Sequence, residues 1–102
     1  KPIIVSEIGA GALPGWRDQH ETRWTEQYQA RLLKTVIEHL FITRNRAAGL
    51  AIWQFCDIRS SEAVGRILGR PRGFNNKGIV DEYRRPKSGY QIVKKWYHKL
   101  SG

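Results

Sequence analysis

The stretch "LAIWQFC", residues 50–56, is the strongest β-strand signal in the sequence and decides the predicted fold. It is a nearly unbroken apolar run, a pattern typical of a strand buried on both faces. A shorter run of β-branched residues, Ile3–Val5, has the same character. Two such strands joined by an amphipathic helix predict a βαβ unit with parallel strands. The apolar residues at helical spacing between them are Tyr28, Leu32, Leu33, Val36, Ile37, Leu40 and Phe41.

The same order of elements repeats toward the carboxyl end of the chain. A loop of about twenty residues, Asp57–Lys77, follows the second strand, and "GIVDEY" (78–83) is a candidate short extended segment. From Lys87 a final helix is predicted, and both long loops follow the carboxyl ends of strands, where (β/α) barrels carry their active sites. We therefore expect an α/β chain of two βα units. One face of the final helix carries Tyr90, Val93, Trp96, Tyr97 and Leu100.

The charge balance raises a nucleic-acid hypothesis, because 18 Lys and Arg against 9 Asp and Glu give the 102 residues a net charge of +9. The aromatic residues do not interleave with the basic ones as single-strand binders require, and a solvated basic face is the simpler interpretation. Nucleic acid is therefore not the expected partner. The residues that would contact phosphates are Arg66, Arg70, Arg72, Arg84, Arg85 and Lys87.

Composition argues against three further classes of protein. No stretch approaches the roughly 20 apolar residues of a membrane span, so a membrane is not an expected partner. The single Cys56 allows no internal disulfide, and His20, His39 and His98 are too scattered along the sequence for a metal site. We expect neither a metal nor a cofactor.

The glycines in "EIGAG" (7–11) raise the question of a nucleotide-binding turn. A dinucleotide fingerprint needs glycine at its first, third and sixth places and a helix that opens directly from the turn. Gly9 and Gly11 fit, but Pro14 occupies the sixth place and the helix begins only near Thr25. The nucleotide hypothesis is therefore rejected.

Glu7, placed at the last position of the first predicted strand, is the other candidate in this segment. A carboxylate at the end of a buried strand is costly inside a protein and useful where the strand opens into a cleft. Spacing alone leaves two interpretations open: a catalytic carboxylate, or a cap for backbone amides at the start of the loop.

Four blocks of sequence together resemble one known family. They are "KPIIVSEIGAG" (1–11), "WTEQYQARLL" (24–33), "GLAIWQFCDIR" (49–59) and "NNKGIVDEYRRPKSGY" (75–90). In this order and spacing they resemble the carboxyl-terminal part of the catalytic barrel of glycoside hydrolase family 2, the β-glucuronidase and β-galactosidase group. The resemblance implies that residues 1–102 are a C-terminal fragment of a (β/α)8 TIM barrel, its last quarter, with strands seven and eight and their helices.

The resemblance assigns Glu7 the role of catalytic nucleophile in a retaining β-glycosidase. Such an enzyme needs a second carboxyl group, which the family takes from an Asn-Glu pair on an earlier strand, and this sequence contains no such pair. The fragment alone is therefore expected to be inactive. The partner implied is a carbohydrate, a β-glucuronide or a related β-glycoside.

Three further residues take roles from the same resemblance. Trp53 is similar to the tryptophan under the sugar subsite, whereas periodicity alone favours a core aromatic, and the family implies a cis peptide at Trp53–Gln54. Asn75 and Lys77 align with an Asn-x-Lys motif that holds the C6 carboxylate of glucuronic acid. The alternative is that Asn75 forms a turn and Lys77 is one of many solvated lysines.

Two alternatives to a β-glucuronidase remain. One is a β-galactosidase or another glycosidase of the family. The other is an interaction module, because two parallel strands leave open edges and apolar faces, so such a piece should self-associate. The enzyme is expected to be a homo-oligomer, and a bacterial cytoplasm is the favoured compartment.

Overall fold

The computed structural model describes residues 1–60 and 69–101. The two helices and the two longer strands alternate as predicted, and a short π-helical segment continues the first helix. The elements of the described residues are β1 (Ile3–Ile8), α1 (Glu26–Glu38), the π-helical segment His39–Thr43, β2 (Ala47–Ile52), β3 (Ile58–Arg59), the short 3-10 helix Pro71–Gly73, β4 (Phe74–Asn75) and α2 (Ser88–Ser101).

The strands β1 and β2 pair in parallel, which confirms the predicted βαβ unit. The boundaries of β2 were predicted wrongly, since the strand lies at Ala47–Ile52 and not at 50–56. Beyond Ile52 the backbone leaves β1, because Gln54 and Phe55 exchange hydrogen bonds with the segment 77–80 instead. Tertiary pairing therefore ends β2 inside an apolar run that has no local stop signal.

The prediction that Ile3–Val5 is buried on both faces is wrong for this chain. Ile3 is 54% exposed and Ile4 is 70% exposed. The reason is that, among the described residues, β2 is the only strand that pairs with β1. An apolar face of β1 is consequently left uncovered.

Helix α1 forms where the amphipathic pattern predicts it. Thr25 caps its amino end, since the Thr25 hydroxyl accepts a hydrogen bond from the Tyr28 amide at 3.2 Å. Its inner face packs against α2, and Leu33 joins the apolar core. The buried members of this core are Leu33, Ile79, Val80 and Val93.

The loop after β2 carries structure that the sequence did not predict. The two-residue strands β3 and β4 pair in antiparallel orientation within it. Val80, in the segment predicted to be extended, forms isolated bridges with Cys56 and Pro86. No helix in the described part of the chain is long and apolar enough to cross a membrane. Arg66, one of the basic residues considered above, lies outside the described residues.

Candidate active site

Glu7 is the next-to-last residue of β1, because the strand continues to Ile8, one residue beyond the end that the sequence predicted. Its side chain is exposed. Within residues 1–60 and 69–101, no backbone amide donates to its carboxylate and no cation pairs with it. The capping interpretation therefore has no support among the described residues. The carboxylate is accessible at the carboxyl end of the strand.

Trp53 follows the last residue of β2 and lies beside the end of β1. Its amide donates to the carbonyl of Ile8 at 2.8 Å. The residue is 43% exposed in this chain, whereas periodicity favours a core aromatic. The peptide bond between Trp53 and Gln54 is cis, as the family resemblance predicted.

Gly9 allows the carboxyl ends of β1 and β2 to approach each other closely. A Cβ at this position would collide with the carbonyl oxygen of Trp53. Only glycine permits this approach without a shift of the backbone. The glycine that resembled part of a nucleotide-binding turn is therefore required by packing.

The segment Asn75–Lys77 lies against the Trp53–Gln54 peptide. The Gln54 amide donates to the carbonyl of Lys77 at 3.0 Å, and the Ile79 amide donates back to the Gln54 carbonyl at 3.0 Å. These bonds link Lys77 to the Trp53–Gln54 segment, and the bond between Trp53 and Ile8 links that segment to the end of β1 beside Glu7. Asn75 lies two residues before Lys77. We call the carboxyl ends of β1 and β2, with the adjoining residues 75–78, the site edge.

The side chains of Asn75 and Lys77 differ in how much they are engaged. The Asn75 side-chain oxygen accepts a hydrogen bond from the Lys77 amide at 3.1 Å, so the turn interpretation holds for this oxygen. In the part of the chain that the structure describes, the Asn75 amide nitrogen and the Lys77 ammonium have no protein partner. Both are donors that a negatively charged ligand could use.

The sequence missed a buried polar network behind the site edge. Lys87 is 1% exposed and Asp57 is 0% exposed, and their side chains are 2.8 Å apart. Arg72 adds a 2.8 Å ion pair to Asp57 and a 2.6 Å ion pair to Glu82. Burial lowers the pKa of the Lys87 ammonium, against the opposing effect of the Asp57 carboxylate. No local pattern marks these residues, since Asp57 and Lys87 are thirty positions apart.

This network also removes much of the basic surface that a nucleic-acid hypothesis needs. Lys87 is buried, Arg72 pairs with two carboxylates, and Arg85 pairs with Asp81 at 2.6 Å. The guanidinium of Arg84 lies over the ring of Phe55. Cations already neutralised by carboxylates are poor phosphate contacts. Nucleic acid is accordingly not favoured as a partner.

Comparison with known proteins places the chain in a family. The profile described as "Glycosyl hydrolases family 2, TIM barrel domain" matches residues 1–101. The β-glucuronidase of Pongo abelii is 35% identical over 104 residues, which cover 99% of this chain and 15% of that protein. The chain belongs to the TIM barrel domain family of glycoside hydrolase family 2.

Solved structures agree with this assignment. A β-galacturonidase of the same family from Eisenbergiella tayi, bound to galacturonate, is 47% identical with a TM-score of 0.87, over 98% of this chain and 17% of that one. The β-D-glucuronidase of Dictyoglomus thermophilum is 30% identical with a TM-score of 0.76, over 95% of this chain and 16% of that one. The chain thus spans about one sixth of the length of its relatives.

Proposed function

We propose that this chain is the last quarter, strands seven and eight with their helices, of the (β/α)8 barrel of a retaining β-uronidase. The main support is the set of backbone hydrogen bonds that holds Lys77 beside Trp53 and Trp53 beside β1. An exposed carboxylate, an exposed aromatic and an unpaired ammonium at the carboxyl ends of parallel strands match the site of a barrel enzyme. The substrate is a terminal β-glycoside that carries a C6 carboxylate.

In this proposal Glu7 attacks the anomeric carbon and forms a covalent glycosyl-enzyme, which water hydrolyses with retention of configuration. A second carboxyl group, roughly 5 Å from the first, protonates the leaving oxygen and then activates the water. No Asn-Glu pair occurs among the 102 residues, so the acid/base residue belongs to another part of the barrel. The chain alone is expected to have no hydrolytic activity.

The exposed residues of the site edge then bind different parts of the sugar. The indole face of Trp53 packs against the C–H face of the pyranose. The ammonium of Lys77 and the amide nitrogen of Asn75 bind the C6 carboxylate, and we call these two residues the clamp. A charge-assisted contact of this kind favours a uronide over a neutral hexoside, which has no charge to offer.

Two uronides are candidates, because glucuronides and galacturonides share the C6 carboxylate and differ in configuration at C4. Curated relatives named β-glucuronidase favour the first. The second is favoured by the 47% identity to a protein described as a β-galacturonidase bound to galacturonate, against 35% for the β-glucuronidase of Pongo abelii. The clamp serves both sugars in the same way.

The test is kcat/KM of the full-length enzyme that contains this chain on four aryl β-glycosides: glucuronide, galacturonide, glucoside and galactoside. We expect kcat/KM on at least one of the two uronides to be much higher than kcat/KM on the neutral glycoside of the same configuration. The Lys77→Ala variant should lose about 10- to 100-fold on the uronide, as expected for a charge-assisted hydrogen bond, and little on the neutral sugar. A wild-type enzyme that prefers the neutral glycosides would contradict the proposal.

A further inference from the structure

The ammonium of Lys87 makes three buried contacts behind the site edge. It donates to the carbonyl of Ala12 at 2.7 Å, to the carboxylate of Asp57 at 2.8 Å and to the carbonyl of Asn76 at 3.0 Å. Ala12 belongs to the loop that follows β1, and Asn76 lies between the two clamp residues. A single side chain therefore links the loop after the Glu7 strand to the clamp segment.

The carboxylate of Asp57 holds the other side of the same segment. In addition to its ion pair with Lys87, it accepts a hydrogen bond from the Gly78 amide at 2.9 Å and forms an ion pair with Arg72 at 2.8 Å. Gly78 packs so closely that a Cβ would collide with the backbone of Asp57 and Cys56. The carboxylate is completely buried, so each of these contacts is shielded from water.

These contacts bracket Lys77 in the chain. The Asn76 carbonyl is held by Lys87, and the Gly78 amide is held by Asp57. The side chain of Asn76 is fixed as well, since its oxygen accepts from Arg72 at 2.9 Å and its nitrogen donates to the Phe74 carbonyl at 3.0 Å. The backbone that carries the exposed ammonium of Lys77 is thus held by hydrogen bonds on both sides.

A buried ion pair is a poor device for stability alone, since well-packed apolar residues often do as well or better. Its directional hydrogen bonds instead fix one geometry of the groups around it. We propose that the Lys87–Asp57 pair positions the clamp, and so determines selectivity for uronides without touching the sugar. This inference rests on the proposed function, because it needs a clamp that binds a carboxylate.

The test measures kcat and KM of the full-length enzyme on an aryl β-uronide and on the matching neutral aryl β-hexoside. For Lys87→Met we expect KM for the uronide to rise about tenfold or more, with kcat changed far less and the neutral substrate within about twofold. Equal losses on both substrates would mean that the pair is merely structural and would overturn the inference.

A folding defect is separated from a positioning defect by two further variants. Asp57→Asn keeps the shape of the side chain and removes its charge, and Asp57→Asn combined with Lys87→Met removes both buried charges together. We expect each to lower the ratio of uronide to neutral kcat/KM. If whichever of these variants folds keeps the wild-type ratio, the inference is wrong.

Glu26→Gln is the matched control. Glu26 is another buried carboxylate, 3% exposed, which accepts hydrogen bonds from the amides of Gly15 and Ser88. Among the described residues it forms no hydrogen bond or ion pair with residues 75–78. It therefore joins a loop and a helix start much as the Lys87–Asp57 pair does. Glu26→Gln should lower the stability of the fold and leave the ratio of kcat/KM on the uronide to kcat/KM on the neutral substrate unchanged. We call this quantity the uronide ratio.

A double-mutant cycle separates failure of this inference from failure of the proposed function. If Lys77→Ala lowers the uronide ratio and Lys87→Met does not, the function stands and the inference fails. If Lys77→Ala leaves the ratio unchanged, the proposed function fails first. When both hold, Lys87→Met should change the ratio less in the Lys77→Ala background than in the wild type, because the effects of residues that act together are not additive.

Discussion

At the scale of single residues, Glu7 carries the sharpest prediction. Its exposed carboxylate has no partner among the described residues, so replacing it should change little of the fold. Glu7→Gln should lower kcat of the full-length enzyme by more than about a thousandfold, because an amide cannot form the glycosyl-enzyme. Near-normal turnover in a preparation free of contaminating enzyme would show that Glu7 is not the nucleophile.

Gly9 carries a second prediction at this scale, because a Cβ there collides with the carbonyl of Trp53. Gly9→Ala should move Trp53 and lower kcat/KM on the order of a hundredfold, the effect of misplacing a site by about 1 Å. The loss should be similar for uronides and neutral hexosides, since the indole serves any pyranose.

Gly69→Ala is the control for this substitution. A Cβ at Gly69 meets no atom of the described residues within 4 Å, so kcat/KM should stay at the wild-type level. If Gly9→Ala were equally silent, the close approach of the two strand ends would have no importance for the site.

At the scale of elements, the packing of α1 on α2 gives a stability prediction. Leu33 is 1% exposed and lies in the core with Val93 and Val80. Leu33→Ala should cost about 2 to 5 kcal/mol through lost burial and the cavity left behind. Leu100→Ala, at a position that is 40% exposed, should cost far less. The measurement is the thermal denaturation midpoint of each variant. Equal midpoints for Leu33→Ala and Leu100→Ala would contradict the assignment of this core.

The turn at Glu82 gives a pH prediction. The hydrogen bond from the Arg72 side chain lowers the pKa of Glu82 below its ordinary value. A carboxyl whose folded pKa is lowered contributes stability above its ordinary pKa, about 4.3, and loses that contribution as pH falls through the folded value.

Glu82→Gln should therefore lower the denaturation midpoint at neutral pH, and its difference from wild type should shrink steadily below about pH 4. The measurement is the denaturation midpoint of both proteins from neutral pH to about pH 3. A difference that stays constant over this range would show that the ion pair with Arg72 does not stabilise the fold.

At the scale of the whole molecule, the uncovered apolar face of β1 has a physical consequence. With Ile3 54% and Ile4 70% exposed, the 102-residue chain by itself should self-associate. Sedimentation of the isolated chain should show assemblies, and the double variant Ile3→Lys with Ile4→Lys should reduce them. A well-behaved monomer would contradict this expectation. The homo-oligomeric state expected of the full-length enzyme stays a separate prediction.

Elements whose signal is local were predictable. The start of α1 near Thr25 and its apolar face with Leu33 follow from residues close together in sequence. The parallel pairing of β1 and β2 follows from the order strand, helix, strand. The candidates Glu7 and Trp53 needed the family resemblance, because spacing alone left a cap and a catalytic role open for Glu7, and periodicity alone favoured a core aromatic for Trp53. Both residues are exposed in this chain, and their roles at the site stay predictions.

The amino-acid sequence by itself determined the order of strands and helices, the family and the residues that form the candidate site. Only the tertiary structure decided that β2 ends at Ile52, that Gly9 must be glycine, and that Lys87 is buried and not a phosphate contact. The physical reason is distance along the chain. The ammonium of Lys87 bonds to Ala12, 75 residues away, and periodicity reports only what neighbouring residues share.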